Sequence, residues 1–176
     1  MLIRSRFTAG FTIIELAVVV AVLGILVTIA VPSFQAMLVN SQVRNAAESI
    51  ANGLQKARGE AVARNRNVQF ILGTDSSWTV QLVDGTQIES RAASEGSRDV
   101  TRVALASDLT TPATTVTFNG MGVVVANPGS PTPPTLTRVN LTAPNATRNL
   151  RVNIGAGGNP KMCNPSLTPG SSPQAC

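Results

Sequence analysis

From Phe11 to Val31 the chain reads FTIIELAVVVAVLGILVTIAV, 21 residues in which Glu15 is the sole ionisable side chain. A helix of that length rises roughly 31 Å, about the hydrocarbon thickness of a bilayer. The pattern then changes. Val43, Ala47, Ile50, Leu54, Ala57 and Ala61 recur at alternating spacings of four and three, the single apolar stripe of an amphipathic helix. Arg44, Glu48, Gln55, Arg58 and Arg64 fall on its other faces. Gly53 and Gly59 interrupt this segment, each weakening it by about 0.5–1 kcal/mol relative to alanine. They are either tolerated there or allow a neighbouring element to approach closely. Gly24 lies inside the apolar run and Pro32 closes it; both weaken helix continuity, and Pro32 predicts a kink where the helix leaves the bilayer.

Beyond Asn65 the period shifts toward two. VQFIL (68–72) and WTVQLV (78–83) read as strands, and Asp84-Gly85 marks a hairpin turn into TQIES (86–90). VTRVAL (100–105), TVTF (115–118) and GVVVA (122–126) follow, the last two separated by the turn signal Asn119-Gly120. After a Pro- and Gly-rich loop over 127–135, TRVNLT (137–142) and NLRVNI (149–154) supply two more candidates. The predicted class is α+β. One long N-terminal helix, transmembrane in its first half and amphipathic in its second, packs on an antiparallel β domain.

The ten residues before Phe11, MLIRSRFTAG, carry Arg4 and Arg6 and no acid. A basic flank ahead of an apolar run also fits a cleaved signal peptide, but that needs a small-residue cleavage site after the apolar core. The following PSFQAMLVNSQ has no A-x-A pattern. The expectation is therefore a retained membrane helix with the arginines on its cytoplasmic side. Composition agrees: 43% of residues are hydrophobic and only 13% charged, about half the charged share of a soluble globular protein. The formal charge is +5, yet a chain starting at Phe11 has 12 basic residues against 9 acidic ones, so part of the basicity belongs to the leader. The sequence has no histidine, which excludes serine–histidine and cysteine–histidine catalysis and imidazole-ligated zinc. The nine acids show no paired-carboxylate arrangement, and no P-loop or dinucleotide fingerprint occurs. No enzymatic activity, cofactor or metal is expected.

Glu15 is the residue that asks for a function. A carboxylate in a membrane helix costs on the order of 2.5–3.5 kcal/mol, so it needs a partner or access to water. Its setting, Gly10-Phe11-Thr12-Ile13-Ile14-Glu15-Leu16, resembles the processing site of type IV prepilins and type II secretion pseudopilins. The resemblance implies that a prepilin peptidase cuts after Gly10 and N-methylates Phe11. It also implies that Glu15 docks subunits, because the amine freed on a neighbour's Phe11 can neutralise the carboxylate where the dielectric is low. The implied partners are that peptidase, other major and minor pilins in a helical filament, and an inner-membrane assembly platform. The implied location is the bacterial inner membrane, crossed once with the head in the periplasm, and then the pilus fibre or tip. The region around Pro32 would stretch or unwind in a filament.

The segment SIANGLQKARGEAVARNRNVQFIL, with Leu54, Ala57, Arg58, Glu60, Ala61 and Val62, is similar to the minor pilins and pseudopilins of the FimU, FimT and GspH group, as are Trp78 and TVTFNGMG. A pilin-like division follows: leader 1–10, transmembrane and filament-core helix 11–35, amphipathic helix 36–66, and a periplasmic β-rich head 67–176. The function implied is that of a minor pilin in pilus assembly, initiation or the tip complex. A minor pseudopilin of type II secretion and a pilus-tip DNA receptor are the alternatives. Cys163 and Cys176 close the sequence. In an oxidising compartment two cysteines point to a disulfide, here stapling an otherwise structureless tail, 163–176. For the DNA reading, some FimT-like pilins use a Gly-Arg-x-Arg motif, whereas Gly157-Gly158-Asn159-Pro160-Lys161 at the corresponding place lacks both arginines. Arg138, Arg148, Arg151 and Lys161 make the last third basic, with no acid after Asp108 and no aromatic after Phe118. That allows non-specific phosphate contact but offers no base-stacking platform.

Overall fold

The computed structural model describes residues 12–176. Contacts divide them into two units, one ending at Met37 and the other spanning Leu38–Cys176. Helix α1 (Ile13–Arg64) contributes its first half to one unit and its second half to the other. It passes through both Gly24 and Pro32 without a break. Pro32 removes one backbone donor and leaves the Thr28 carbonyl short of its i+4 partner, and the helical ladder continues on either side of it.

In the first unit α1 stands alone, and every side chain from Thr12 to Gln35 is exposed. In the second unit the heptad stripe behaves as its spacing predicts. Val43, Ala47, Ile50, Leu54, Ala57 and Ala61 are all fully buried, joined by Ala46, Ser49 and Gly53. The helix stops in a Schellman turn. The Arg66 N–H donates to the Ala61 carbonyl and the Asn65 N–H to the Val62 carbonyl, each at 3.2 Å, with Asn65 left-handed at φ 49°. Asparagine is the side chain that best tolerates that position after glycine.

Two antiparallel sheets follow. The first has the order β3-β2-β1-β5-β6, built from β1 (Val68–Leu72), β2 (Trp78–Leu82), β3 (Gln87–Arg91), β5 (Thr115–Phe118) and β6 (Val124–Val125). The second has the order β4-β7-β8-β9, from β4 (Thr101–Leu105), β7 (Arg138–Thr142), β8 (Leu150–Ile154) and β9 (Pro160–Cys163). In the first sheet the register Phe70↔Val80 and Phe70↔Val116 puts Val68, Phe70, Leu72, Val80, Leu82, Val116 and Phe118 on one face. These residues share a single buried cluster with the α1 stripe and with Ala104, Val139, Leu141, Val152 and Ile154 of the second sheet. Each large member contributes about 1.5–3 kcal/mol through burial.

Trp78 is set into this core by chemistry as well as shape. Its indole Nε1–H donates to Ser49 Oγ at 2.8 Å, which explains a serine among the buried positions of α1. Its ring lies 5.8 Å from that of Phe70, and both crowd Gly53, where an added Cβ would come within 2.8 Å of either ring. Gly53 is thus a close-approach glycine. Gly59 meets nothing within 4 Å and is merely tolerated.

The structure adds one strand to those that spacing predicts and shortens another. Pro160–Cys163, just ahead of the 163–176 tail, is an edge strand, paired Arg151↔Cys163 and Asn153↔Lys161 with β8. Its leading proline hides it from a propensity reading, although proline is acceptable at the start of an edge strand. The strand expected over 122–126 shrinks to Val124–Val125, because Gly122 takes φ +74° and Asn119 Oδ1 accepts the N–H groups of Met121 and Val123.

Candidate functional site

Gly10 and Phe11 lie outside the described residues, so the site begins at Thr12. The Thr12 hydroxyl accepts the Glu15 N–H at 3.2 Å, and the Thr12 carbonyl accepts the Leu16 N–H. Thr12-Ile13-Ile14-Glu15 is therefore the capping pattern T-x-x-E, with threonine at the N-cap and glutamate at N3. Glu15 sits in the first turn of α1, where the helix dipole favours a negative charge. After it, no ionisable side chain occurs until Arg44. The one hydroxyl in the middle of the apolar run, Thr28, donates back to the Ile25 carbonyl at 2.7 Å and so presents no unsatisfied group. The surface is otherwise aliphatic, with Ile13, Ile14, Leu16, Leu23, Ile25 and Leu26 all more than half exposed. An 18-residue window of this helix is apolar enough to cross a membrane and has no protein cover within the chain.

The basic residues of the last third separate into two places. Register puts Arg138, Asn153 and Lys161 in one cross-strand row, and Asn140 and Arg151 in the next, on the same face of the second sheet. Arg138 Nε donates to Asn153 Oδ1 at 3.3 Å, and Arg151 Nε to Asn140 Oδ1 at 2.7 Å. Burial, and then the neighbouring charge of Arg138, push the Arg151 guanidinium below its ordinary value. Arg148 is not part of this face; its N–H donates to Asn40 on α1 at 3.1 Å.

Within the stretch Gly157–Lys161, Gly158 is buried and Asn159 is bonded back to the helix. Arg58 Nη1 donates to Asn159 Oδ1 at 2.5 Å, and Arg58 Nε to the Gly122 carbonyl at 3.0 Å. One helix side chain thus fastens the β5–β6 and β8–β9 turns. A groove of about 670 Å³ beside it is lined by Gln55, Arg58, Gly59, Val62, Asn159 and Pro160. Sequence reasoning placed Arg58 simply off the apolar stripe. Its one signal in the sequence is its place beside Ala57 in the LQKARGEAV run.

Two other residues were missed. Asn127 Oδ1 accepts from buried Thr117 at 2.9 Å, while Asn127 Nδ2 donates to the carbonyls of Thr115 and Pro134, both at 3.0 Å. It holds the proline-rich loop against the outer face of the first sheet. Arg102 donates through Nη2 to the Gly73 carbonyl, leaves its buried Nε unpartnered, and is pushed below its ordinary value by desolvation. Among the described residues no cluster of acids and cysteines could hold a metal, and Cys163 and Cys176 are joined to each other.

The family model described as type II transport protein GspH matches residues 46–158, the second half of α1 and most of the β head. The chain belongs to the GspH family. A second model, the prokaryotic N-terminal methylation motif, matches residues 5–31 of this GspH-family chain. Two curated proteins from Pseudomonas aeruginosa, each called a fimbrial protein, are 30% identical to it over 87 residues, covering 49% of this chain and 56% of theirs. The chain thus spans about half the length of the curated relatives it matches. Two crystal structures of the type IV minor pilin FimU from Pseudomonas aeruginosa PAO1 are similar to it. The first has TM-score 0.48 and 19% identity over 73% of this chain and 98% of FimU. The second has TM-score 0.46 and 21% identity over 76% and 94%.

Proposed function

We propose that this GspH-family chain is a minor type IV pilus subunit, a non-catalytic component that takes part in pilus assembly, initiation or the tip complex. The observation that carries the reading is the first half of α1: aliphatic on every side, uncovered, and marked by one carboxylate in its first turn. Such a surface needs lipid while the subunit is stored and other apolar helices once it is assembled. The methylation motif over residues 5–31 supports the same use.

In this account a prepilin peptidase cuts between Gly10 and Phe11 and methylates the new terminus. The head then stands in the periplasm, and an assembly platform moves the subunit into the filament. Glu15 acts by differential stabilisation. In the stored subunit its charge has the helix dipole and the membrane edge. In the filament it gains the cationic terminus of a neighbouring Phe11, and in low dielectric that pairing outweighs what either charge has alone. Subunits that present both charges in register are thereby favoured. The 163–176 loop and the basic sheet face are surfaces the head would offer to other subunits.

A second reading, a minor pseudopilin of type II secretion, is favoured by the type II transport description of the matching family. Deletion of the gene separates the two. A pilus subunit predicts loss of surface filaments and twitching with protein secretion intact. Lost secretion with normal filaments would establish the pseudopilin instead.

A further inference from the structure

The outer face of the second sheet carries three cations. Strand register sets two cross-strand rows on it, with Leu105, Arg138, Asn153 and Lys161 in one and Val103, Asn140, Arg151 and Cys163 in the other. The alternate positions Ala104, Val139 and Val152 belong to the buried cluster, so both rows face away from the core. None of the salt bridges among the described residues involves Arg138, Arg151 or Lys161. The acid closest to them along the chain is Asp108, in the β4–β5 loop. It keeps its charge, and three cations against that one carboxylate leave the face positive.

Both arginines are held without losing charge. Each gives its Nε–H to the amide oxygen directly across the register, Arg138 to Asn153 and Arg151 to Asn140. A neutral acceptor fixes a guanidinium and leaves its charge unpaired. Among the described residues their Nη groups have no partner and are not buried. Each arginine therefore presents its two-pronged end, which takes a carboxylate by two parallel bonds. Arg138 and Arg151 are diagonal neighbours on the sheet, positions about 7–8 Å apart. An extended segment returns to the same side every second residue, a repeat of about 6.6 Å. Two carboxylates two residues apart in such a segment match the two forks.

Past Arg138, at the end of β7 away from Arg151, the face opens into a cavity of about 460 Å³. Buried Leu136 and Ile154, with the more exposed Leu109 and Val124, give it an apolar lining, and Arg138 and Asn153 form its polar side. Leu109 is held at φ 63°, a conformation that branched side chains disfavour. Its N–H donates to the Ala106 carbonyl, and Asp108 Oδ1 beside it accepts the N–H groups of Thr110 and Thr111. The loop thus keeps an aliphatic side chain against the cavity at a conformational cost. The space suits one large aliphatic or aromatic side chain.

We propose that this face binds an extended acidic segment of a neighbouring subunit, with two carboxylates two residues apart on Arg151 and Arg138 and a large apolar side chain two residues further on in the cavity. The inference rests on the pilus-subunit reading above. The cavity decides among anionic partners. A phosphate or uronate chain meets the arginines but has no side chain to fill an apolar space, whereas protein interfaces combine arginine anchors with apolar pockets. The segment belongs to a different chain, because no two acids among these 176 residues lie two apart.

The test expresses the full chain in cells in place of the native subunit, with a benzophenone amino acid at Val103, which is exposed on this face opposite Asn140. Ultraviolet cross-links in filaments sheared from the surface are identified by mass spectrometry. The expected product joins Val103 to a different pilus subunit within a few residues of two acids spaced two apart. Its yield should fall at least about tenfold in R138Q/R151Q, with the membrane level of the variant unchanged. Attachment to a segment without that spacing, attachment to a second copy of this chain, or an undiminished yield in R138Q/R151Q would overturn the proposal. Nucleic acid or polysaccharide recovered at Val103 in place of a subunit would assign the face to a polyanion and overturn the protein claim. The cross-link made with both arginines present decides the pattern of the segment, so the proposal stands or falls even where the double variant does not fold. A chain absent from filaments, whose deletion leaves them intact, overturns the pilus-subunit reading and the interface together. Incorporation without a cross-link overturns the interface alone.

Discussion

Gly53 and Gly59 occupy one helix six residues apart and should respond to alanine with opposite signs. Alanine in place of glycine inside a helix gains about 1 kcal/mol of backbone stability. At Gly59 nothing lies within 4 Å, so that gain should appear nearly in full. At Gly53 the new methyl would stand 2.8 Å from carbons of both Phe70 and Trp78. Neither ring can yield freely, since both are buried in the core cluster and the indole is held to Ser49. Overpacking of a filled core costs about 1–3 kcal/mol. The net at Gly53 is therefore a loss of about 1 kcal/mol, and the two variants should differ by about 2 kcal/mol. Thermal unfolding of the full chain in detergent, read by fluorescence of its single tryptophan, Trp78, converts this to a gap of roughly 8 °C. The expected order is G59A above wild type and G53A below it. A G53A protein as stable as G59A would refute the close packing of α1 on the first sheet.

Arg58→Ala should lower stability by about 1.5–3 kcal/mol, since a cation bonded to two acceptors is removed, and hydrogen exchange should rise in both turns that Arg58 holds. A loss confined to one turn would contradict its bridging role. Replacing Cys163 and Cys176 together by serine opens a loop of sequence separation 13. It should cost about 3 kcal/mol in the chain-entropy model and speed exchange at β9, whereas unchanged β9 protection would show that the strand stands without its staple. Asp108 is held down to about 2 by hydrogen bonds from the Thr111 hydroxyl and from the N–H groups of Thr111 and Thr110. Because the folded state lowers this value, its stabilisation is complete above about pH 4 and fades as pH falls toward about 2. Asp108→Asn should flatten the acid limb of the melting profile over that window, and an identical slope in the variant would count against the bonding.

What could be read in the sequence were the features set by local period. The apolar run, the stripe from Val43 to Ala61 and the strands β1 to β8, with β6 shorter than expected, follow from spacing and turn signals, because burial repeats with the geometry of the backbone. Ser49 breaks the stripe, and its burial depends on an indole 29 residues away, which no periodicity encodes. Arg58 is invisible for the same reason, since its acceptors come from turns far along the chain, and Asn127 because its bonds join β5 to the proline-rich loop, which has no period to read. The strand β9 lacks alternation and opens on proline, so only its pairing with β8 defines it. The four basic residues of the last third could be listed from the sequence, but strand register separates Arg148 from the other three.

The docking role proposed for Glu15 depends on its carboxylate, which substitution by alanine removes. The full chain carrying Glu15→Ala is expressed in place of the native subunit, and its amount is measured in the membrane and in filaments sheared from the cell surface. Removing the carboxylate lowers the cost of the apolar helix in lipid, so the membrane fraction should be undiminished. The filament fraction should fall by at least an order of magnitude if, as proposed, Glu15 is the counter-charge of the neighbour's terminal amine. Native levels of the variant in sheared filaments would contradict the claim that Glu15 docks one subunit on the next.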